Sequence, residues 1–241
     1  MSAIDVSIII PAKDEEKRLP VFLQEVIDHC HKSSLAYEII IVDDGSSDHT
    51  STVALDFKKI FNNLSVIRLD KNHGKGFAVK EGLLASIGRV ALFLDADGST
   101  GPEEIEKNLT FLNQGYDIVI GSRVMVEEGK LVQTRFYRKW MGSLFNFLVH
   151  AFLIQGIKDT QCGFKMFKRP IITPLFERVG LPGFGFDLEV LFLAHQMGFK
   201  VKEVAVNWKH VDGSKINLAR DSYRMLLNIF YIKKTHQGHR S

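Results

Sequence analysis

Five short runs rich in isoleucine, valine and leucine mark the first half of the chain, at 6–10, 38–42, 65–69, 90–94 and 117–120, each bounded by polar or turn-forming residues. Runs of that length and β-branched content predict strands. Between them, apolar positions recur at helical spacing over 17–31, 50–61, 75–87 and 103–113, which predicts helices that pack by one face. Strand and helix in alternation imply an α/β fold, a mostly parallel sheet covered on both faces. After residue 121 the pattern turns irregular. The stretch 141–157 is aromatic-rich and reads as an amphipathic helix, and Gly183-Phe-Gly-Phe-Asp-Leu-Glu189 opens a helix that runs to 197. Residues 201–208 alternate like a strand, and the basic tail 233–240 is expected to be loose. At 241 residues the chain suits a single domain, in two halves, 1–121 and 122–241.

In a parallel sheet, ligands bind beyond the carboxyl ends of the strands. Four polar motifs fall at the predicted ends: Pro11-Ala-Lys-Asp-Glu-Glu16, Asp43-Asp-Gly-Ser-Ser-Asp48, Asn72-His-Gly-Lys-Gly76 and Asp95-Ala-Asp-Gly-Ser-Thr100. Their convergence on one edge argues for a site. Asp95 and Asp97 can share a divalent cation, and a hard cation with oxygen ligands is a usual means of holding a diphosphate. Alone, the pair reads equally well as a strand-end turn in which Asp97 caps the next helix. Asp43 can accept from a base or ribose, while Gly45 allows a tight turn and Asp48 caps the following helix. Lys75, between Gly74 and Gly76, sits either where a diphosphate approaches the backbone or in a plain turn into a helix. Asp187 and Glu189 are either electrostatic caps of a helix start or acids facing a glycine-rich loop. Arg135, Arg138 and Lys139, just before 141–157, are either solvated side chains or a basic patch for lipid headgroups.

Several classes drop out. No G-x-G-x-x-G follows the first strand and no G-x-x-x-x-G-K-[ST] occurs, which argues against a dinucleotide fingerprint and an ATPase. A formal net charge of +3 with pI near 8.7 is too weak to argue for nucleic acid. Cys30 and Cys162 give neither a disulfide framework nor zinc spacing, so a reducing compartment is expected. No stretch reaches the roughly 18 apolar residues of a membrane span, and the run 6–10 stops at Pro11, too short for a signal peptide.

In order, VSIIIPAKDEE, IIIVDDGSSDHT, HGKGFAVKEG, ALFLDADGST, VIGSR, DTQCGFK, GFDLEVLFLA and VAVNWKHVDGSK resemble the family 2 glycosyltransferases of GT-A fold, over nearly the whole chain. Within that family the chain is similar to the dolichyl-phosphate glucosyltransferases, with the dolichol-phosphate mannose synthases as neighbouring branch; DTQCGFK and NWKHVDGSK favour glucose. The resemblance implies a Rossmann-like, mostly parallel central sheet with an acceptor-side C-terminal region, 1–121 taking the nucleotide sugar and 122–241 the acceptor. It implies that Pro11, Ala12, Glu15 and Asp43 border the nucleoside and that Lys75 lies near the phosphates. Asp95, Ala96 and Asp97 would contact the nucleotide sugar, with Asp95 and Asp97 as ligands of Mg2+ or Mn2+. Arg123 matches the arginine of the GSR motif near the acceptor phosphate, joined there by Arg135 and Arg138. Asp187 or Glu189 falls where related transferases place a catalytic acid. Ser99 stands where mannose synthases often carry glutamine, which weakens a GDP-mannose reading.

The activity so implied is inverting, metal-dependent transfer of a hexose, glucose from UDP-glucose, to polyprenyl or dolichyl phosphate, at the cytoplasmic face of a membrane. Competing readings are a GDP-mannose-dependent transferase to the same lipid, a transferase to a sugar hydroxyl in polysaccharide assembly, and a nucleotide-binding regulator without turnover. The membrane anchor of eukaryotic members is not expected here, so membrane residence rests on the helix at 141–157.

Overall fold

The computed structural model describes residues 4–125, 156–209, 211 and 218–236. Arg135, Arg138, Lys139 and nearly all of the predicted helix at 141–157 lie outside them. The first half alternates as expected: β1 (Val6–Ala12), α1 (Leu19–Lys32), β2 (Tyr37–Asp43), α2 (Thr50–Phe57), β3 (Leu64–Arg68), α3 (Lys75–Ala85), β4 (Val90–Leu94), α4 (Glu104–Asn113) and β5 (Ile118–Ser122). Then come β6 (Phe164–Lys168), α5 (Arg169–Phe176), α6 (Phe186–Gln196), β7 (Val201–Ala205) and α7 (Leu218–His236). α1 starts two residues later than its periodicity suggests because Pro20 takes the first turn, where its missing N–H costs nothing. The basic tail departs from expectation. α7 runs through Lys233 and Lys234 to His236, whose ring is buried, so this part of the tail is packed helix.

The seven strands lie in the order β3-β2-β1-β4-β6-β5-β7, with β6 antiparallel to both neighbours and every other pairing parallel. From β1 the chain first builds outward through β2 and β3, then returns to lay β4 on the other side. That reversal opens a crevice beyond the carboxyl ends of β1 and β4, where α/β sheets bind ligands. Alternate residues of each strand feed two cores. Ile9, Val42, Phe93, Ile120 and Phe167 pack with α3, α5, α6 and α7. Ile8, Ile10, Ile41, Leu92, Leu94, Phe164 and Met166 pack with α1, α2 and α4 on the opposite face. Burial on both faces explains why the strands read as continuous apolar runs. Among the described residues no helix is long and apolar enough to cross a membrane.

Candidate active site

β4 ends at Leu94 and hands Asp95 to the crevice, while its preceding residue Phe93 stays in the core beneath. Asp95 Oδ1 lies 2.5 Å from Lys75 Nζ, at the start of α3, and the ammonium also sits 5.7 Å from the centre of the Phe93 ring. Burial works against the Lys75 charge, but Asp95, Asp187 and, further off, Asp97 outweigh it and hold this lysine above its ordinary value. The other Asp95 oxygen presses on Gly163: a Cβ built there would stand 2.1 Å from Oδ2. Only a glycine fits. Asp97 accepts from the backbone N–H and hydroxyl of Ser99 at 2.9 and 2.6 Å, a local turn made possible by Gly98 at φ +66°. Ala96, between the two acids, is buried at the strand end.

The loops after β1 and β2 interlock beside this pair. Pro11 and Ala12 are buried and register with Val42 and Asp43 of β2. Asp43 is fully buried; its carboxylate accepts from Ser46 N at 2.8 Å and from the Ser51 hydroxyl, so it holds its own loop from below. Asp44, whose N–H donates to Ala12 O, accepts from His73 N at 2.6 Å and Gly74 N at 2.8 Å. That carboxylate fixes the turn carrying Lys75. Glu15 forks onto Arg18, whose charge is favoured first by Glu15 and, more weakly, by Asp97. Asp48 lies one residue before the N-cap position of α2, which His49 takes; it accepts from Thr50 N at 2.9 Å and from Glu16 N at 3.1 Å, tying the β1 loop to the helix start.

Gly74 and Gly76 do permit close approach, but of protein. A Cβ on Gly74, which has φ +106°, would meet Pro182 O at 2.5 Å, and one on Gly76 would meet Phe186 Cβ at 2.6 Å. The turn is therefore packed under the loop that enters α6, with Phe77 N donating to Pro182 O at 3.0 Å. Close packing by the protein is thus what requires both glycines.

On the far side of the crevice, Arg123 follows β5. Asp159 takes its Nε and Nη2 at 2.8 and 2.9 Å and its backbone N–H at 2.8 Å. Glu203 of β7 in turn receives the backbone N–H groups of Lys158 and Asp159 at 2.9 and 2.8 Å. Trp208 lies 5.9 Å from the guanidinium, and Lys209 N donates to Ser99 O at 2.9 Å, so the segment after β7 spans from Arg123 to the Asp97 turn. Burial opposes ionisation of both partners, but their mutual attraction dominates, raising the arginine and lowering the Asp159 carboxyl. A third of the Arg123 side chain remains accessible.

The two acids of α6 are withdrawn from the crevice. Asp187 is paired at 2.5 Å with Lys165, a wholly buried lysine of β6 that also donates to Cys162 O and lies 5.3 Å from the Phe93 ring. Burial pushes the Asp187 carboxyl up, against the pull of Lys165 and Lys75. Glu189, also buried, accepts from Gly180 N and Leu181 N at 3.0 and 2.7 Å and meets His236 Nε2 at 2.7 Å. Its oxygens are occupied by the loop and by α7.

Lys75, Asp95, Asp97 and Arg123 are thus brought to one edge, with Glu15 and Arg18 beside them. Asp95 and Asp97 are the hard oxygen donors that Mg2+ or Mn2+ takes, and such cations commonly rely on one or two carboxylates, with phosphates and water completing the shell. Among the described residues no group of three or more histidine, cysteine or acidic side chains offers a complete all-protein cage. The sequence reading missed Asp44, Asp159, Gly163 and Lys165. A lysine inside an apolar run, as at Lys165, was the one local signal available, since a buried charge needs a partner.

The family model for glycosyl transferase family 2 matches residues 7–176. Dolichyl-phosphate beta-glucosyltransferase of Mus musculus is 38% identical over 224 residues, covering 88% of this chain and 69% of the relative. The enzyme of the same name from Saccharomyces cerevisiae is 35% identical, covering 95% and 74%. Among solved structures, glucosyl-3-phosphoglycerate synthase from Mycobacterium tuberculosis, determined with Mn2+, UDP and glucosyl-3-phosphoglycerate, superposes with TM-score 0.72 at 18% identity, covering 95% of this chain and 80% of that one. Mannosyl-3-phosphoglycerate synthase from Rubrobacter xylanophilus gives TM-score 0.73 at 20% identity, covering 99% and 76%. These structures share the GT-A fold with the protein. With two thirds of its length matched by the family model and its acids, lysine and arginine gathered at one sheet edge, the chain is a glycosyltransferase and belongs to glycosyl transferase family 2.

Proposed function

We propose that this protein transfers glucose from UDP-glucose to the phosphate of a dolichyl or other polyprenyl phosphate, with inversion at the anomeric carbon. The donor chemistry is supported by the two-acid turn at the end of β4 and by relatives whose names specify glucose and dolichyl phosphate. Asp95 and Asp97 would hold the divalent cation, which when bound supplies charge neutralisation for the departing diphosphate. Lys75 adds a positive charge against Asp95, held ready by the Asp44 clamp on its turn. In the reaction an acceptor phosphate oxygen forms the new bond to C1 as the C1–O bond to UDP breaks, and the electron pair leaves with UDP.

The observation that supports the acceptor assignment is the burial of Asp187 and Glu189, the two acids that the family resemblance offers as catalytic carboxylates. A sugar hydroxyl needs a carboxylate to take its proton, whereas a phosphate monoester, with a second pKa of about 6, is already largely anionic at neutral pH. Asp187 is locked to Lys165 and Glu189 to Gly180, Leu181 and His236. Arg123, by contrast, is partly accessible and pre-oriented by Asp159, which suits it to an anion. Free, buried Cys30 and Cys162 are compatible with work at the cytoplasmic face of a membrane, where the lipid acceptor would be met.

Kinetics at saturating donor test this reading. Arg123→Ala should lower kcat/KM for the lipid phosphate by roughly a hundredfold, while Asp187→Asn and Glu189→Gln, each tested singly, keep appreciable turnover. Near-total loss in one carboxamide variant, with Arg123→Ala almost unaffected, would assign a hydroxyl acceptor instead.

A further inference from the structure

The terminal helix α7 is apolar on two opposite sides. Its inner stripe, Ile229, Ile232 and His236, is buried against the core and against α6. Leu227, Phe230, Tyr231 and Lys234 fall at spacings i, i+3, i+4 and i+7, so they form one outward stripe. Leu227 is 50% exposed, Phe230 71% and Tyr231 44%, and Lys234 is exposed among them. A further exposed apolar residue adjoins α7 through its chain neighbour. Phe184, 46% exposed, precedes Gly185, where a Cβ would stand 2.2 Å from Asn228 Nδ2 of α7. Large apolar side chains clustered on a surface in this way mark an interaction site.

The chemistry of the stripe selects the partner. Phenylalanine, tyrosine and leucine, with a lysine on the same arc and Lys233 beside it, match an interfacial helix whose rings enter the headgroup boundary while the ammonium stays with anionic headgroups. Lysine is depleted in the cores of protein–protein interfaces, whereas it suits a headgroup boundary. The location fits as well. The loop bearing Phe184 is the one that packs on Gly74 and Gly76, so the face lies one loop away from Lys75 and Asp95.

We infer that the outer face of α7, Leu227, Phe230, Tyr231 and Lys234, with Phe184, docks this protein on an anionic lipid bilayer. The inference rests on the lipid-phosphate reading above, because a headgroup acceptor has to be met at such a surface. Docking by this face would bring the crevice towards acceptors embedded in the bilayer.

Flotation of the full chain with vesicles of phosphatidylcholine and phosphatidylglycerol, free of any acceptor, tests it. The wild type should float at low salt and do so less as salt rises. Phe230→Glu should reduce binding about tenfold or more, and Lys234→Glu should remove most of the salt dependence. Both positions are exposed, so both variants should keep the wild-type melting temperature and its rise with UDP-glucose and a divalent cation. Phe230→Glu should also use a water-soluble short-chain prenyl phosphate as the wild type does, and lose transfer only to a long-chain acceptor in vesicles. Flotation of Phe230→Glu equal to the wild type, or no flotation of the wild type, overturns the proposal. So does light scattering that shows a wild-type dimer which Phe230→Glu splits with flotation unchanged, since the face would then join two copies. Wild-type flotation that depends on Phe230, without transfer to any prenyl phosphate, sinks the function reading and upholds the docking face.

Discussion

At Arg123 the guanidinium is aimed by Asp159 before any ligand arrives, and the pair should leave a signature in stability against pH. The Asp159 carboxyl is held below its ordinary value of 3.8, chiefly because attraction to Arg123 overcomes burial. A carboxyl depressed in the folded state contributes stability above its unfolded value, and that contribution is lost as pH falls through the folded value. Asp159→Asn should therefore cost about 1–3 kcal/mol at pH 7, discounted towards the lower end because Arg123 is partly exposed. The gap to the wild type should shrink below about pH 4 in urea titrations; an equal gap at both ends would contradict the pairing. Gly163 makes a second test. Its missing Cβ leaves room for the Asp95 carboxylate, so Gly163→Ala should displace that carboxylate and lower donor-dependent turnover by about tenfold or more. The donor-induced rise in melting temperature should fall with it; wild-type values of both would show that Asp95 does not need its present position. Asp95, Asp97 and Lys75 were legible in the sequence because they fall in polar motifs that follow apolar runs, and Arg123 because its GSR motif resembles that of the family. Asp44 and Asp159 were not, because their partners lie 29, 30 and 36 residues away along the chain and no local pattern records such pairs.

Among the elements, α6 and α7 show a helix-start acid whose bonds reach well beyond its own helix. Glu189 ties three pieces together: its own helix α6, the loop at Gly180 and Leu181, and His236 on the last turn of α7. Leu181 and Pro182 then bear on the Gly74–Gly76 turn. Glu189→Gln keeps the shape but weakens these charge-assisted bonds, so it should destabilise the fold by about 1–3 kcal/mol and speed hydrogen exchange at Gly180 and Leu181. Unchanged stability together with lost turnover would instead make Glu189 a base. The strands and helices of the first half follow the sequence pattern closely, since the inner strands β1, β2, β4 and β5 are buried along nearly their whole length, while the edge strand β3 is only partly so. β6 escaped notice because Lys165 interrupts its apolar run, and its antiparallel direction depends on neighbours far away in sequence. α5 carries Pro170 in its first turn and Pro174 inside, residues that read as breaks and not as a helix.

For the molecule as a whole, the strand order places the crevice where β1 and β4 diverge, and the antiparallel β6 brings Gly163 and Lys165 back beneath it. The half carrying β1 to β4 supplies Asp44, Lys75, Asp95 and Asp97, and the remainder supplies Arg123, Asp159 and the α7 face. Under the proposed reaction the first group would face the donor and the second the acceptor. The acceptor side was the less legible half, because its geometry comes from long-range ion pairs and its elements are short and interrupted by charge. The central claim is that glucose passes from UDP-glucose to a lipid phosphate, and labelled transfer tests it most directly. UDP-glucose labelled in the sugar, supplied with Mg2+ or Mn2+ and with polyprenyl phosphate in vesicles, should yield label in the organic phase as an acid-labile glucosyl phosphate. That product should vanish when either the lipid phosphate or the cation is omitted. Label reaching a sugar hydroxyl or water at the same rate with and without lipid phosphate, and none reaching the lipid, would contradict it.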